Sequence, residues 1–202
     1  MSKQAKIFWT SYSDLMTSLF FIMLVLFVLT IAMMKRQAAA TEKQLETIKE
    51  IQNSVKELDP HYFYYQEDYK RFSLKEQIQF QAKSSVIPVV NKNYLIGVGK
   101  NIVNLISTLK TKYKGQNIKY MIIIEGMASN FAYSKNDELS YLRALSLYKL
   151  WEQNNIYFDP KFCELQIAGS GIRGVGRFNG KDEYKNQQFL IQIIPKIGKI
   201  DN

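Results

Sequence analysis

The chain has 202 residues, 47% of them hydrophobic, with one cysteine and a formal net charge of +9 at pH 7. That length holds one globular domain of ordinary size plus an accessory segment, and a lone Cys163 excludes an intramolecular disulfide. The basic excess suits an anionic neighbour such as a cell wall or a lipid surface, while no compact Lys/Arg cluster with groove-reading spacing points to nucleic acid.

A short tail over 1–9 precedes the first predicted element, a membrane-spanning helix over 10–36. "WTSYSDLMTSLFFIMLVLFVLTIAMMKR" runs from Trp9 to Arg36, and twenty residues from Leu15 to Met34 carry no charge. Such a helix rises about 30 Å, the thickness of a bilayer's hydrocarbon core. A cleaved secretory signal is the competing reading. Signal cores are about 7–15 residues long, and here Lys35 and Arg36 separate the run from the alanines at 38–40. Lys3 and Lys6 balance Lys35 and Arg36, so counting positive charges leaves a near tie in orientation. The short N-terminal tail most simply stays in the cytoplasm, which places the rest of the chain in the periplasm.

Asp14 stands at the entrance to the apolar run. A carboxylate in a spanning helix costs about 2.5–3.5 kcal/mol on insertion scales, so its presence needs a reason. One reading is a helix N-cap in the headgroup layer. The other starts from Thr10, Asp14, Thr17 and Ser18, which fall on one face at i, i+4, i+7 and i+8. That stripe expects a polar or watery partner surface, where a carboxylate can exchange a proton or hold a sodium ion with help from the hydroxyls.

Residues 37–59 continue as a membrane-proximal helix. Leu45, Ile48, Ile51, Val55 and Leu58 recur at intervals of three and four, a thin stripe that predicts the seam of a short coiled coil and hence a homodimer. A helix lying on its own domain is the alternative. Asp59-Pro60 ends it. The aromatic stretch "HYFYYQEDYKRF" reads as a linker over 60–72, with His61 an interface or linker residue.

A globular domain follows over 73–198. "FSLKEQIQF" alternates and predicts a strand through Leu74, Ile78 and Phe80. Ile102, Leu105, Ile106 and Leu109 mark a helix that stops at Gly115. Tyr120–Ile124 is an apolar core strand ending in Glu125-Gly126. "NDELSYLRALSLYKLWEQN" is a second helix, capped by Asn136 or Asp137, with Leu139, Leu142, Leu145 or Leu147, and Leu150 facing inward. "CELQIAGSGIRGVG" is a strand entering a glycine-rich loop beside a binding cleft, and "QQFLIQIIPK" is a last strand ended by Pro195. Strands alternating with helices predict an α/β sandwich with helices on a mixed sheet. No nucleophile–base pair, metal-ligand spacing or acid pair suggests an enzyme.

Two stretches resemble one family. "FWTSYSDLMTSLFFIMLVLFVL" is similar to the membrane segment of MotB-type motor subunits, with Tyr12, Asp14, Leu15, Met16 and Thr17 on its hallmark and Ser13 where Ala is usual. "IIIEGMASNFAYSKNDELSYLRALSLYKLW", "LQIAGSGIRG" and "NQQFLIQIIP" resemble an OmpA-type peptidoglycan-binding domain, with Leu139, Ser140, Arg143, Ala144, Gly169, Gly171 and Asn186 on its motifs. The resemblance implies a single-pass inner-membrane protein in which Asp14, Thr17 and Ser18 serve ion translocation. It implies two copies inside a ring of five multi-spanning A subunits of the MotA, ZorA or ExbB kind. Peptidoglycan contact would fall on Ser129, Asn130, Leu139, Arg143 and Asn186, with no cofactor beyond the transported proton or sodium ion.

Where the family has an Asp that meets the ammonium of diaminopimelate, this chain has Ser129, and Asn186-Gln187-Gln188 replaces Asn-Arg-Arg. Arg143 can still fork onto a carboxylate, whereas Ser129 cannot neutralise an ammonium. The alternative for Arg143 is a salt bridge to Glu125 or Glu138 that orders the fold. Phe8-Trp9 and the helix directly after the membrane resemble the ZorB subunit of Zorya-type anti-phage motors. A flagellar stator subunit and a passive membrane-to-wall tether are the alternatives.

Overall fold

The computed structural model describes residues 3–114, 118–130 and 133–197, with side chains from Trp9 to Lys196 within those segments. The expected helix stop at Gly115 lies outside the described residues. The chain divides into two units, Met1–Thr47 and Ile48–Asn202.

The first unit is helix. Helix α1 spans Lys3–Val55, and its apolar part is long and hydrophobic enough to cross a membrane. Phe20, Leu24, Phe27 and Ile31 are all exposed, as a lipid-facing or partner-facing surface requires.

The second unit begins with the end of α1, and here the predicted coiled coil is corrected. Ile51, Val55 and Leu58 are buried in this unit's own hydrophobic core, together with Phe63, Phe72, Leu95 and Ile193. Side chains already enclosed by their own domain cannot form a seam with a second copy. Leu45, by contrast, is 50% exposed. Ile51→Ala should therefore lower the domain's unfolding free energy by about 2–4 kcal/mol, while Leu45→Ala should change it by less than about 0.5 kcal/mol. Denaturant titration of the purified protein checks this, and equal effects at the two positions would return both to a seam.

The stretch expected to be a linker is a hairpin. Strands β1 (Phe63–Gln66) and β2 (Arg71–Leu74) pair antiparallel, with Tyr65 opposite Phe72. The aromatics suit a strand with one buried face: Phe63 and Phe72 lie in the core with ring centroids 5.8 Å apart, while Tyr64 points outward. The predicted strand through Ile78 and Phe80 stops at Leu74; both residues are buried, but in irregular chain. Helix α2 (Val89–Lys112) buries Leu95, Val98, Ile102, Ile106 and Leu109. Strand β3 (Ile118–Met127), helix α3 (Asn136–Gln153) and strand β4 (Cys163–Gly171) form a crossover unit with parallel strands, and β5 (Phe189–Ile197) closes the sheet.

The sheet order is β1-β2-β5-β3-β4, with only β3 and β4 parallel. This is the mixed α/β arrangement that the alternation of strands and helices predicted. Tyr120, Ile122 and Ile124 face the core at period two, between Ile191 and Ile193 of β5 and the strands beyond. Pro195 lies inside β5 rather than ending it, opposite Tyr120. Tyr120 sends its own N–H to Phe162 of the other neighbour, so the pair makes no bond across it. The missing donor of proline therefore falls on the side where β2 has already ended.

Helix α3 lies almost in contact with the sheet backbone. A Cβ on Gly126 would run into the Ser140 carbonyl, and one on Gly169 would meet Ser140 Oγ at 2.6 Å. These two glycines face each other across β3 and β4. Ser140 itself is buried, donating to the Asp137 carbonyl at 2.7 Å and accepting the Gly171 N–H at 2.9 Å. The Ser and the glycines of the motif thus fix the helix against the strands.

Candidate functional site

The expected inward stripe of α3 was Leu139, Leu142, Leu145 or Leu147, and Leu150. The structure turns Leu142 outward, 38% exposed, and puts Arg143 in the buried stripe between Leu139 and Leu147. The reason is the 3.6-residue turn, since 139, 143, 147 and 150 share a face that 142 does not. The helix has Lys135 at its N-cap with no side-chain cap bond, so the expected cap from Asn136 or Asp137 does not form.

Arg143 is 3% exposed and lines a cleft of about 500 Å³. Phe80, Leu139, Ala128 and Tyr133 supply its apolar wall, and Ser129, Asn136, Gln187 and Lys83 its polar groups. The guanidinium lies 4.4 Å over the Phe80 ring. Its three hydrogen bonds run to neutral acceptors and are long: Nε to the Ser84 carbonyl at 3.2 Å, Nη1 to the Met127 carbonyl at 3.4 Å and Nη2 to Gln187 Oε1 at 3.4 Å. Burial alone pushes Arg143 down to about 10, well below the usual guanidinium range.

The salt-bridge alternative for Arg143 is overturned. Glu125 pairs with Arg71 at 3.6 Å and Glu138 with Lys135 at 3.8 Å. Arg71 shows what a satisfied buried guanidinium looks like here. It is buried as deeply, but donates to Gln66 Oε1 at 2.9 Å and to the Val175 carbonyl at 2.7 Å beside its carboxylate. Arg143 has the burial, but among the described residues no carboxylate pairs with it. The chemistry of such a group suits it to receive an anion.

The other residues expected in the cleft divide into two sets. Ser129 lines it and accepts from Gln187 Nε2 at 3.1 Å, and Leu139 lines it as well. Asn130 follows Ser129 in exposed irregular chain, its N–H donating to Glu183 Oε1 at 2.6 Å. Asn186 is fully buried and staples a loop, receiving the Phe178 N–H and donating to the Phe178 carbonyl, both at 2.9 Å. It positions the chain before Gln187 and does not face the cleft. The glycine-rich loop after β4 does not line the cleft either: Gly169 and Gly171, which let α3 approach, lie within β4, while Gly174 faces Met127 and Gly176 faces Tyr69. Phe80, Lys83 and Tyr133 were missed, since they come from irregular chain whose burial no periodicity signals.

In the first unit Asp14 lies eleven residues after the helix start at Lys3, about three turns in. An N-cap sits at the first turn, so the capping explanation for Asp14 is removed. Thr17 Oγ1 donates to the Ser13 carbonyl at 2.7 Å and Ser18 Oγ to the Leu15 carbonyl at 2.9 Å. Thr30 makes the same kind of bond, so the bond itself is ordinary. Its consequence is that these hydroxyls spend their protons inward and offer lone pairs beside the carboxylate.

No family model and no curated protein matches the chain. Among solved structures it is similar to the periplasmic domain of Helicobacter pylori MotB, at 16% identity and a TM-score of 0.41, covering 65% of this chain and 86% of that one. It is similar to the cell wall anchor of the T6SS from Pseudomonas aeruginosa, at 14% identity and a TM-score of 0.39, covering 64% and 81%. It is also similar to the peptidoglycan-associated lipoprotein from Burkholderia pseudomallei, at 9% identity and a TM-score of 0.37, covering 59% and 88%.

Proposed function

We propose that this chain is the wall-anchored B subunit of a proton- or sodium-driven rotary motor in a bacterial inner membrane. Its N-terminal tail is cytoplasmic, α1 crosses the bilayer, and the α/β domain in the periplasm holds peptidoglycan through the Arg143 cleft. Two copies stand inside five multi-spanning A subunits, and ions pass by way of Asp14 as the ring turns about the pair. The carrying observation is Asp14, a carboxylate three turns into α1 at the entrance to its apolar run, with two hydroxyls on its face. A tether to the wall needs the cleft but has no use for that acid.

The anti-phage use of such a motor is favoured over the flagellar one by α1, which runs from Lys3 to Val55 without a separate plug helix after the apolar run. With Ile51, Val55 and Leu58 committed to the domain core, the part of the predicted stripe left for contact between the two copies is its N-terminal end, where Leu45 is exposed.

The test is purification of the full-length chain from membranes of its native host, followed by identification of any co-purifying multi-spanning protein, mass measurement and sedimentation with purified sacculi. A complex of two B and five A subunits that sediments with sacculi is expected. A chain that sediments with sacculi but assembles with no multi-spanning partner would be a passive tether.

A further inference from the structure

The chemistry of the cleft permits a narrower assignment of its ligand, resting on the wall-binding reading above. Every charged residue among the described lining residues is a cation, Arg143 and Lys83, and the remaining polar ones, Ser129, Asn136, Gln187 and Tyr133, are neutral. Ser129 and Gln187 are joined to each other, Nε2 to Oγ at 3.1 Å, and Gln187 Oε1 faces Arg143. The acid beside this wall is Glu183, which accepts from Asn130 N–H at 2.6 Å and is already paired with Arg177 at 2.7 Å. Those partners hold its carboxyl below the usual range even against burial, so it stays ionised and engaged.

A free diamino acid end is a zwitterion. Arg143 answers its carboxylate, but its ammonium would meet only neutral dipoles and two positive charges. We infer that the cleft takes a carboxylate whose neighbouring amine has been acylated, as in a cross-bridge of the wall, in preference to the free amino acid end. An acylated nitrogen is a neutral N–H donor beside a carbonyl acceptor. The Ser129 hydroxyl and the Gln187 amide can meet both without any charge to neutralise. The apolar wall of Phe80, Leu139 and Tyr133 then suits the added acyl carbons better than it suits a hydrated ammonium.

The experiment uses the full-length protein in detergent and two probes, a stem tripeptide with diaminopimelate at its third position, N-terminally blocked and amidated on every carboxyl but the distal one, and the same peptide acetylated on the distal amine. Binding is followed by calorimetry. The acetylated peptide should bind on the order of tenfold more tightly, the size expected for one unpaired charge avoided in a partly desolvated site. Ser129→Asp should reverse the order, because it supplies the missing anion without touching the carboxylate receptor. Equal or tighter binding of the free-amine peptide to the unaltered protein overturns the selectivity while leaving the wall contact standing. Binding of neither peptide by a protein that still sediments with sacculi overturns the cleft as the wall site as well.

Discussion

Arg143→Met should leave the α/β domain as stable as before, or more stable, and abolish its retention on sacculi. The two halves of that result come from one cause. With the group held at about 10, well below the usual guanidinium range, the charged form costs a few kcal/mol relative to a solvated guanidinium. The sign follows from Arg143 being a base whose folded value is lowered. Below about pH 10 it is protonated in both states and the folded state bears the full cost. As pH rises through about 10 toward the value of a solvated guanidinium the cost disappears, so this group makes stability rise with pH across that window. The hydrogen bonds at 3.2–3.4 Å and the Phe80 stacking offset part of it.

Methionine keeps the apolar stem between Leu139 and Leu147 and discards the charge. A gain of zero to about 2 kcal/mol is expected, or zero to roughly 6 °C in melting temperature for a domain of this size. Retention should fall by about tenfold or more, because the carboxylate receptor is gone. Thermal unfolding and sacculus sedimentation on the same preparation read both. A loss of more than about 2 kcal/mol would make Arg143 a structural residue and empty the cleft of its meaning.

Which parts of this were legible in the sequence follows from how local their causes are. The crossover β3–α3–β4 and the closing strand show through because five apolar residues in a row, a helical repeat and a glycine after a strand are each short-range signals. The coiled-coil reading failed at Ile51 and Val55 because an intra-domain face and an inter-chain seam use the same spacing of three and four. Only the tertiary fold says which surface covers them. The hairpin at Phe63–Leu74 was taken for a linker because its turn, Glu67 to Lys70, is charged and its alternation is short. Arg143 was named from a motif, and its spacing alone would have put Leu142 in its place. That it lacks a carboxylate depends on where Arg71, Lys135 and Glu125 go, and those partners are set by strands far apart in the chain.

Asp14→Asn should preserve membrane insertion, wall attachment and assembly, and abolish every motor-dependent phenotype. The substitution keeps the size and the hydrogen-bonding shape of the side chain and removes only its ability to ionise. Asparagine is also less costly than a carboxylate within a bilayer, so insertion cannot suffer from it. Because α1 has already made about three turns before Asp14, no capping bond is at stake. The neighbouring hydroxyls of Thr17 and Ser18 remain bonded to Ser13 and Leu15 and still offer their lone pairs, so the surroundings are unchanged. What disappears is the one group on that face that can carry a proton or balance a sodium ion. Asp14→Glu lengthens the side chain by one methylene and should retain partial activity if the carboxylate still reaches the ion path. Phenotype is scored beside immunoblots of membrane fractions and co-purification with the multi-spanning partner, so that a missing complex is not mistaken for a silent one. Full activity of Asp14→Asn at normal expression would remove ion translocation from this chain and leave a protein that links membrane to wall and does no work.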